Sequence, residues 1–379
     1  MSSTLLDPRV IDASTLTPRQ TSAVYLPIGI EGQMDNTGTA IVATPYAVSR
    51  VDQAVSLFGA STNKLVNLIT QILNAGAGPV VAYASAKGAT PTIVQRQAVW
   101  QSMESDVNIR LRLTDSEVQS DIVSLADSAN NANLVYNKQV AIAGMPSGTS
   151  KAALIAAAGG VAPGSQSRIV IVGPGVLDAN GNLFGGSYAA ACVAAQVAMN
   201  SDPTNDLDLW PIPALTGIEL DTNGLPIFRR KVVTGVAVDE YEDLLQGGVS
   251  PLQPSRVPGG VMTTHLRTAF TTNSTFDNLY TRIIVDQIFL DVRDYILNSN
   301  FLRMANTAKT QNQMQSGVQA LLAERSGWIS PILQPDGTLG YGVSVTPSAN
   351  QRQVTIGYQG TVVRGISTVQ VAANLTIPV

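Results

Sequence analysis

Between residues 21 and 200, short apolar runs alternate with segments whose apolar residues recur at helical spacing. Continuous or period-two apolar runs predict strands, whereas apolar residues at i, i+3, i+4 and i+7 predict helices. The predicted strands are Ala23–Ile30, Ala40–Ala43, Pro79–Ala84, Asp106–Leu113, Gln139–Gly144 and Ile169–Val172. The predicted helices are Ser49–Phe58, Leu65–Leu73, Thr92–Met103, Ser150–Ala158 and Tyr188–Met199. This alternation predicts an α/β fold in which helices cover a mostly parallel or mixed sheet.

Two local patterns in this region carry more detailed predictions. Apolar and polar residues alternate through Asp106–Leu113, which predicts a strand with one face in water. The next four residues, Thr114-Asp115-Ser116-Glu117, have the spacing of a capping box and predict the start of another helix.

Residues 200–260 are rich in proline and turn pairs, which predicts a domain boundary or a long ordered connection. Beyond it, apolar spacing predicts two helices, Phe276–Leu297 and Thr310–Arg325, with Ser274 and Asp277 as the capping signal of the first. The last predicted strands are Val261–Thr268, Gly340–Val345, Gln353–Tyr358 and Thr368–Ile377. We therefore divide the chain into an N-terminal arm (1–20), an α/β core (21–250), a C-terminal α+β domain (251–366) and a C-terminal strand or arm (367–379).

Composition narrows the class of protein. Charged residues make up 13% of the chain, about half of the roughly 25% that is usual in globular proteins. This low share suits either a surface covered by partners or a neutral, Ala-rich soluble domain. The net charge is −4, and the one tight basic cluster is Arg229-Arg230-Lys231, so we predict no nucleic-acid binding. No signal peptide or membrane span is evident, which predicts a soluble protein made in a cytoplasm, with no direct membrane contact. The single cysteine, Cys192, lies in an Ala-rich run and is predicted to be a buried, unreactive thiol.

Each candidate for chemistry has a weakness. Ile169–Gly175 resembles a dinucleotide-binding turn, but its third glycine position is Asp178. The Gly148-Thr149-Ser150 stretch resembles a protease nucleophile, yet the only histidine, His265, follows Ser150, and Ser150 or Thr149 is better interpreted as a helix cap. The Asp178 loop mimics a calcium loop incompletely, and one Cys with one His cannot form a zinc site. The sequence therefore predicts no catalytic, cofactor-binding or metal-binding residues, no cofactor and no enzymatic activity; a nucleotide-binding or hydrolytic α/β enzyme remains the alternative.

Several stretches, taken in order along nearly the whole chain, resemble contractile tail-sheath proteins of bacteriophages and related injection systems. They are Val24–Gly29, Phe58-Gly59, Leu65–Gly76 with Pro79–Val81, Leu215–Ile218, Tyr241–Val249 and Val261–Thr272. The resemblance implies a subtilisin-like-related α/β core, a tube-proximal C-terminal domain, and a location in the phage tail of the virion after assembly in the host cytoplasm. It also implies a homo-oligomer of stacked six-fold rings that contracts to drive an inner tube through the host envelope. The implied partners are the tail tube protein and the baseplate and tail terminator proteins.

The resemblance also implies that both termini add strands to neighbouring subunits. Residues 1–20 have no local core, and Thr368–Ile377 would otherwise leave an apolar strand edge exposed. The apolar residues predicted to take part in this exchange are Leu5, Leu6, Val10, Ile11, Val369, Val371, Leu375 and Ile377.

Overall fold

A computed structural model of the chain describes residues 26–134, 137–161, 168–200, 210–234, 236–255, 260–269, 278–299, 301, 304–348, 353–362, 368–369 and 377–378. The predicted exchange residues Leu5, Leu6, Val10, Ile11, Val371 and Leu375, and the capping signal Ser274/Asp277, lie outside the described residues.

Helices and strands alternate through most of the chain. The helices are α1 (Val51–Phe58), α2 (Lys64–Asn74), α3 (Ile93–Glu104), α4 (Gln119–Leu134), α5 (Lys151–Gly160), α6 (Gly186–Met199), α7 (Glu240–Gln246), α8 (Leu279–Asn298) and α9 (Ala308–Glu324). The longer strands are β1 (Ile28–Met34), β2 (Pro45–Val48), β3 (Val80–Lys87), β4 (Leu111–Thr114), β5 (Val140–Gly144) and β6 (Ile169–Gly173), followed by the short β7 (Val176–Leu177), β8 (Leu183–Phe184) and β9 (Gly217–Ile218). The remaining strands are β10 (Arg230–Val233), β11 (Val236–Asp239), β12 (Val249–Pro254), β13 (Val261–Thr263), β14 (Ile329–Ser330), β15 (Ile332–Leu333), β16 (Leu339–Gly340), β17 (Ser344–Pro347), β18 (Gln353–Gly357), β19 (Gly360–Val362), β20 (Thr368–Val369) and β21 (Ile377–Pro378).

The largest sheet has eight strands in the order β13-β12-β6-β5-β4-β1-β3-β2. Its six inner strands run parallel, whereas β2 and β13 pair antiparallel at the two ends. From β1 the chain steps outward to β3 and then returns to β4 on the other side of β1. The strand order therefore reverses between β1 and β4, and this reversal is the topological switch point of the sheet.

The two faces of this sheet carry separate hydrophobic layers. One layer contains side chains of α1, α2 and α6, among them Phe58, Ile69 and Val193, and extends onto α8 and α9. The other contains side chains of α3, α4, α5 and α7, among them Trp100 and Leu125. All five residues of both β5 and β6 are buried, as expected for parallel strands that are covered on both faces.

Polar side chains cap most of the described helices, and one of these caps, at the start of α5, was predicted from the sequence. Thr92 and Gln95 form a capping box at α3, and Ser150 Oγ accepts a hydrogen bond from the Ala153 amide at the start of α5. Asn278 caps α8 through hydrogen bonds from the Tyr280 and Thr281 amides. At the end of α1, Gly59 has φ = +107°, a conformation that favours glycine and stops the helix.

Four strand predictions need correction. Gly340–Val345 is not one strand, because β16 ends at Gly340 and β17 begins at Ser344 in a different sheet. Ala40–Ala43 is not a strand, and the strand β2 begins at Pro45 instead. The segment Asp106–Leu113 forms a strand only from Leu111, and its predicted wet face is wrong: Arg110 and Arg112 are both buried. The reason is that β4 lies inside the parallel sheet, where helices cover both faces. The predicted strand Val261–Thr268 ends at Thr263, so His265 lies outside it.

The strand β12 crosses the predicted boundary at residue 250. It pairs with β6 over Val249–Pro251 and with β13 over Leu252–Pro254, so the core sheet continues to Thr263. Beyond it, α8 and α9 pack together beside three small antiparallel sheets. The division into a core and a C-terminal domain stays a prediction, but the core sheet extends past residue 250.

Candidate functional sites

In open α/β sheets, ligands bind at the carboxyl ends of the parallel strands, next to the switch point. In this chain that position lies between the ends of β1 and β4. A group of polar side chains fills it, and we call this group the Arg96 cluster. Its members come from β1, α3, the end of β4, the residue after β4 and the first turn of α4: Glu31, Arg96, Thr114, Asp115 and Asp121.

Arg96 is the centre of the cluster. Its Nη1 lies 2.6 Å from Glu31 Oε1 and 2.8 Å from Asp115 Oδ1, and its Nε lies 3.1 Å from Asp121 Oδ2. Thr114 donates a hydrogen bond of 2.8 Å to the other Glu31 oxygen. All five side chains are buried, so the cluster is closed to solvent and joins the two strands to α3 and α4.

The charges in the cluster do not balance. Three carboxyl groups share one guanidinium, and burial together with the neighbouring Asp115 carboxylate raises the pKa of Glu31 from 4.5 to about 7. Three acidic groups at one point can suggest a metal site. Here the guanidinium lies among them, and within the described ranges no group of three or more His, Cys, Asp or Glu side chains is arranged to hold a metal ion.

A second buried carboxylate occupies the loops after β5 and β6. Glu219 Oε1 accepts a 2.6 Å hydrogen bond from the Gly148 amide, and Glu219 Oε2 accepts a 3.1 Å hydrogen bond from the Gly175 amide. These two loops are the ones that the sequence marked as a possible nucleophile turn and a possible dinucleotide turn. The backbone amides that would face a phosphate therefore bind a side chain of the same chain.

At the start of α6, a second carboxylate, that of Glu117, also accepts hydrogen bonds from the chain's own polar groups. Glu117 Oε1 accepts hydrogen bonds from the Ser187 amide (3.0 Å) and the Ser187 hydroxyl (2.6 Å), and Lys64 lies 3.2 Å from the same oxygen. The helix meets β5 closely, because a Cβ on Gly144 would collide with the backbone of Gly186. Glu117 was predicted to close a capping box for α4; it binds the start of α6 instead.

The other candidates for chemistry have structural roles. Ser150 caps α5, and Asp178 closes its own turn by accepting hydrogen bonds from the Asn180 and Asn182 amides. His265 Nε2 lies 3.5 Å from Asn278 Nδ2, beside the α8 cap. Cys192 is buried in α6, and this burial raises its pKa to about 12, as expected for an unreactive thiol.

The basic triplet Arg229-Arg230-Lys231 does not form a free positive patch. Arg229 pairs with Asp221 at 2.8 Å, Arg230 with Asp239 at 2.5 Å and Lys231 with Glu240 at 2.8 Å. Each of the three cations therefore has an acidic partner.

At the amino-terminal ends of the parallel strands, an ion pair attaches α8 to the core. Arg168, just before β6, forms two hydrogen bonds with Asp286, of 2.6 and 2.7 Å. Burial alone would raise the pKa of Asp286, but Arg168 and the neighbouring Arg282 and Lys138 hold it below its usual value. Burial lowers the pKa of Lys138 to about 8, and its ammonium lies 4.0 Å from the centre of the Phe289 ring.

The described part of the predicted exchange segments consists of the two ends of Thr368–Ile377. Val369 pairs with Gly360 of β19, and Ile377 pairs with Val354 of β18, both antiparallel and within the same chain. The continuous strand of the prediction is thus described as two short strands, β20 and β21, in two different sheets. Their backbone positions place both ends at the edges of small antiparallel sheets.

None of the residues in the Arg96 cluster, nor Glu219, was singled out from the sequence as a candidate site. Thr114, Asp115 and Glu117 were noticed only as a capping signal. Glu31 and Arg96 lie in an ordinary strand and helix, and a single sequence does not reveal that they meet.

The sequence matches no protein-family model and none of the curated proteins. Its fold is nevertheless similar to that of solved sheath proteins. The sheath tail protein of Desulfitobacterium hafniense aligns over 94% of this chain and 97% of its own, with 10% identity and a TM-score of 0.68. The sheath tail protein of Listeria innocua aligns over 95% and 96%, with 14% identity and a TM-score of 0.67. A chain of the contracted helical sheath of the anti-feeding prophage aligns over 92% and 93%, with 12% identity and a TM-score of 0.62.

Proposed function

We propose that this chain is the subunit of a contractile tail sheath, in a bacteriophage or a related injection particle, and that its role is structural. The observation that carries the proposal is the similarity in fold to sheath proteins over more than nine-tenths of both chains. At 10–14% identity this similarity establishes the fold, which is the fold that the sequence resemblance implied. The finer relation of the core to subtilisin-like domains belongs to the proposal.

At the carboxyl ends of the parallel strands, side chains of the chain itself fill the positions where a ligand would bind. This arrangement supports a structural role. Glu219 accepts hydrogen bonds from amides of the loops after β5 and β6, and the Arg96 cluster fills the switch point. A ligand at either place would have to displace a buried, hydrogen-bonded carboxylate, which is energetically unfavourable. A nucleotide-binding or hydrolytic enzyme would need one of these two positions for its ligand. This observation therefore argues against the enzyme alternative.

In this proposal, copies of the chain form stacked six-fold rings around an inner tube, and contraction of the stack drives the tube through the host envelope. Contraction would be a change between two packings of rigid subunits, with no chemical step in the subunit. The partners are other copies of the chain, the tail tube protein, and the baseplate and tail terminator proteins. The particle is the phage tail or an extracellular injection particle, and assembly takes place in the host cytoplasm. Among the described helices, none has the length and apolar character needed to cross a bilayer.

We propose that the two arms connect neighbouring subunits through Leu5, Leu6, Val10, Ile11, Val369, Val371, Leu375 and Ile377. The positions of β20 and β21 suit this role, because each is paired along an edge of a small antiparallel sheet. The same hydrogen bonds would form if the end strand came from a neighbouring copy, so exchange requires no new interface chemistry.

Electron microscopy of the purified protein tests the function directly. Negative staining at high concentration, with and without the inner tube protein, should show hollow striated cylinders. Monomers or small closed oligomers in both samples would refute the sheath proposal. A thermal-shift screen with nucleotides and labelling of Ser150 with a serine-reactive probe should both be negative; a clear positive in either would favour the enzyme alternative.

A truncation tests the arms separately. Deleting residues 1–18 should abolish polymerisation, while the circular dichroism spectrum and melting temperature stay close to those of the full chain. Normal cylinders from the truncated chain would show that the N-terminal arm is dispensable.

A further inference from the structure

A groove lies at the amino-terminal ends of β1, β3 and β4, beside α8. Its volume is about 620 Å³, and Arg110 and Gln287 line it on the side of α8. The apolar part of its wall consists of Pro27, Pro45, Ala47, Pro79 and Val81. We call this surface the Arg110 groove.

Arg110 is a buried cation with no acidic partner. Its side chain is 9% exposed, and its guanidinium makes one long hydrogen bond, of 3.5 Å, to Gln287 Oε1. No carboxylate oxygen of a described residue lies within 4.0 Å of the guanidinium nitrogens. Burial lowers the pKa of Arg110, because a charge without a partner is unfavourable in a low-dielectric environment.

The acids of α8 that act on the charge of Arg110 already have partners. Asp286 accepts two hydrogen bonds from Arg168, and Asp291 lies 2.7 Å from Arg325. Their charges are therefore balanced elsewhere in the subunit, and Arg110 is left to a carboxylate from outside it.

Asp106 also lines the groove, and its carboxylate is engaged as well. It accepts hydrogen bonds from the Tyr83 hydroxyl (3.0 Å) and from the Asn108 amide (2.9 Å). The groove thus presents one carboxylate that is bonded within the core and one guanidinium, that of Arg110, that lacks an acid.

The two arms of the proposed sheath subunit differ in acidity. Residues 367–379 contain no Asp or Glu, whereas residues 1–20 contain Asp7 and Asp12. The N-terminal arm also joins the rest of the chain beside the groove, since Pro27 is one of the lining residues. The N-terminal arm is therefore the arm that can supply a carboxylate.

The sequence around Asp7 matches the groove in apolar character and in charge. Leu5 and Leu6 precede Asp7 directly, which suits an apolar wall beside a guanidinium. Arg9 follows two residues later and lies on the same side of an extended segment as Asp7. The segment thus carries one acid and one base, as the groove does with Arg110 and Asp106.

The length of the arm favours Asp7 over Asp12. A chain of 379 residues has a radius of gyration of about 21 Å, so touching copies are roughly 50 Å apart. From Leu26, an extended arm reaches about 65 Å to Asp7 but only about 48 Å to Asp12. Asp7 therefore reaches the same groove on a touching copy with length to spare.

We propose that the N-terminal arm of one subunit enters the Arg110 groove of a second copy of this chain, where Asp7 pairs with Arg110 and the two leucines before it pack on the apolar wall. A buried guanidinium and a carboxylate form strong, charge-assisted hydrogen bonds. The contact joins two different surfaces of the same chain, so it repeats from copy to copy and generates rings or helices. The inference rests on the proposed function, since it names the surface that receives the N-terminal arm.

Cysteine cross-linking between two kinds of copy tests the contact in the assembled protein. One chain carries Thr4→Cys, near Asp7, and the other carries Val107→Cys, at an exposed position that lines the groove. The native Cys192 is buried and does not interfere. Assembly of the mixture and treatment with a short bismaleimide should give a covalent dimer, while either chain alone stays monomeric on denaturing gels. If a chain with both cysteines gives only internally linked monomers, each arm fills its own groove and the proposal is wrong.

Removal of either charge gives an independent measurement. Arg110→Met and Asp7→Asn should each raise the concentration needed for assembly by at least about tenfold. The double variant should be no worse than either single variant, because all three lack the same pair. Asp12→Asn is the matched control and should change little. Losses that add up in the double variant would show that the two residues act separately, against the proposal.

The stability of the unassembled subunit separates a docking role of Arg110 from a structural one. Arg110→Met should leave the melting temperature unchanged or raise it, because it removes a buried charge that has no acidic partner. A clear fall would show that Arg110 is already paired within its own subunit, which overturns the proposal.

The outcomes also separate this proposal from the proposed function. If the unmodified chain forms cylinders but the mixture gives no covalent dimer and Asp7→Asn assembles like Asp12→Asn, the docking proposal is wrong and the sheath proposal stands. If the unmodified chain does not assemble, both fail.

Discussion

Replacing Glu31 with glutamine removes one of the three carboxyl groups of the Arg96 cluster, while the side chain keeps its size and one carbonyl oxygen. Glutamine resembles the protonated form of Glu31, which is the form that the buried, acid-rich surroundings favour. We therefore expect Glu31→Gln to change the pH dependence of stability more than stability at acid pH.

The size of the effect follows from the pKa. Glu31 is fully buried, and its pKa rises from 4.5 to about 7 on folding. A difference of one pKa unit corresponds to about 1.4 kcal/mol, so the whole effect is about 3 kcal/mol. Because the folded state has the higher pKa, this stabilisation is fully present below pH 4.5 and is lost as the pH rises to about 7.

Urea unfolding at pH 5 and pH 8 provides the measurement. Relative to the unmodified chain, Glu31→Gln should gain about 2–3 kcal/mol of unfolding free energy between pH 5 and pH 8. The matched control is Glu324→Gln, an exposed residue at the end of α9, which should show no such gain. A difference between Glu31→Gln and the unmodified chain that is the same at both pH values, or that falls as the pH rises, would refute the reasoning.

Three further predictions concern single buried groups. Arg168→Met should lower the unfolding free energy by about 3–5 kcal/mol, because it removes the two hydrogen bonds that Arg168 donates to the buried Asp286 carboxylate; an unchanged unfolding free energy would contradict this. Glu219→Gln should cost about 1–3 kcal/mol and speed hydrogen exchange at the Gly148 and Gly175 amides, since glutamine can accept through only one of its two ends; unchanged exchange would count against the bonds described. Cys192 should react with a thiol reagent only in denaturant, and rapid labelling of the folded chain would show that its helix is not buried.

The sequence predicted the elements whose signals are local. The start of α3 at Thr92 and the burial of Cys192 follow from capping residues and from an apolar neighbourhood that a single segment contains. The same holds for the α/β class, because apolar periodicity is a property of each segment. The order of the motifs was also enough to identify the correct fold, although the identity to the solved structures is 10–14%.

Predictions failed where a distant part of the chain decides the outcome. The alternation in Asp106–Leu113 is normally typical of a strand with one wet face. Arg112 is buried because β4 lies inside the parallel sheet, and its guanidinium donates a 2.8 Å hydrogen bond to the Trp100 carbonyl oxygen. Glu117 has the local spacing of a cap, but it contacts Ser187, 70 positions away. No periodicity encodes such pairings, and a single sequence does not reveal them.

The carboxylate of Glu219 has one more consequence. A ligand that fills a loop is lost on dilution, and the stability it provides falls with its concentration. A side chain of the same chain has an effective concentration that dilution does not change. The loops after β5 and β6 therefore keep Glu219 as a hydrogen-bond partner at any protein concentration.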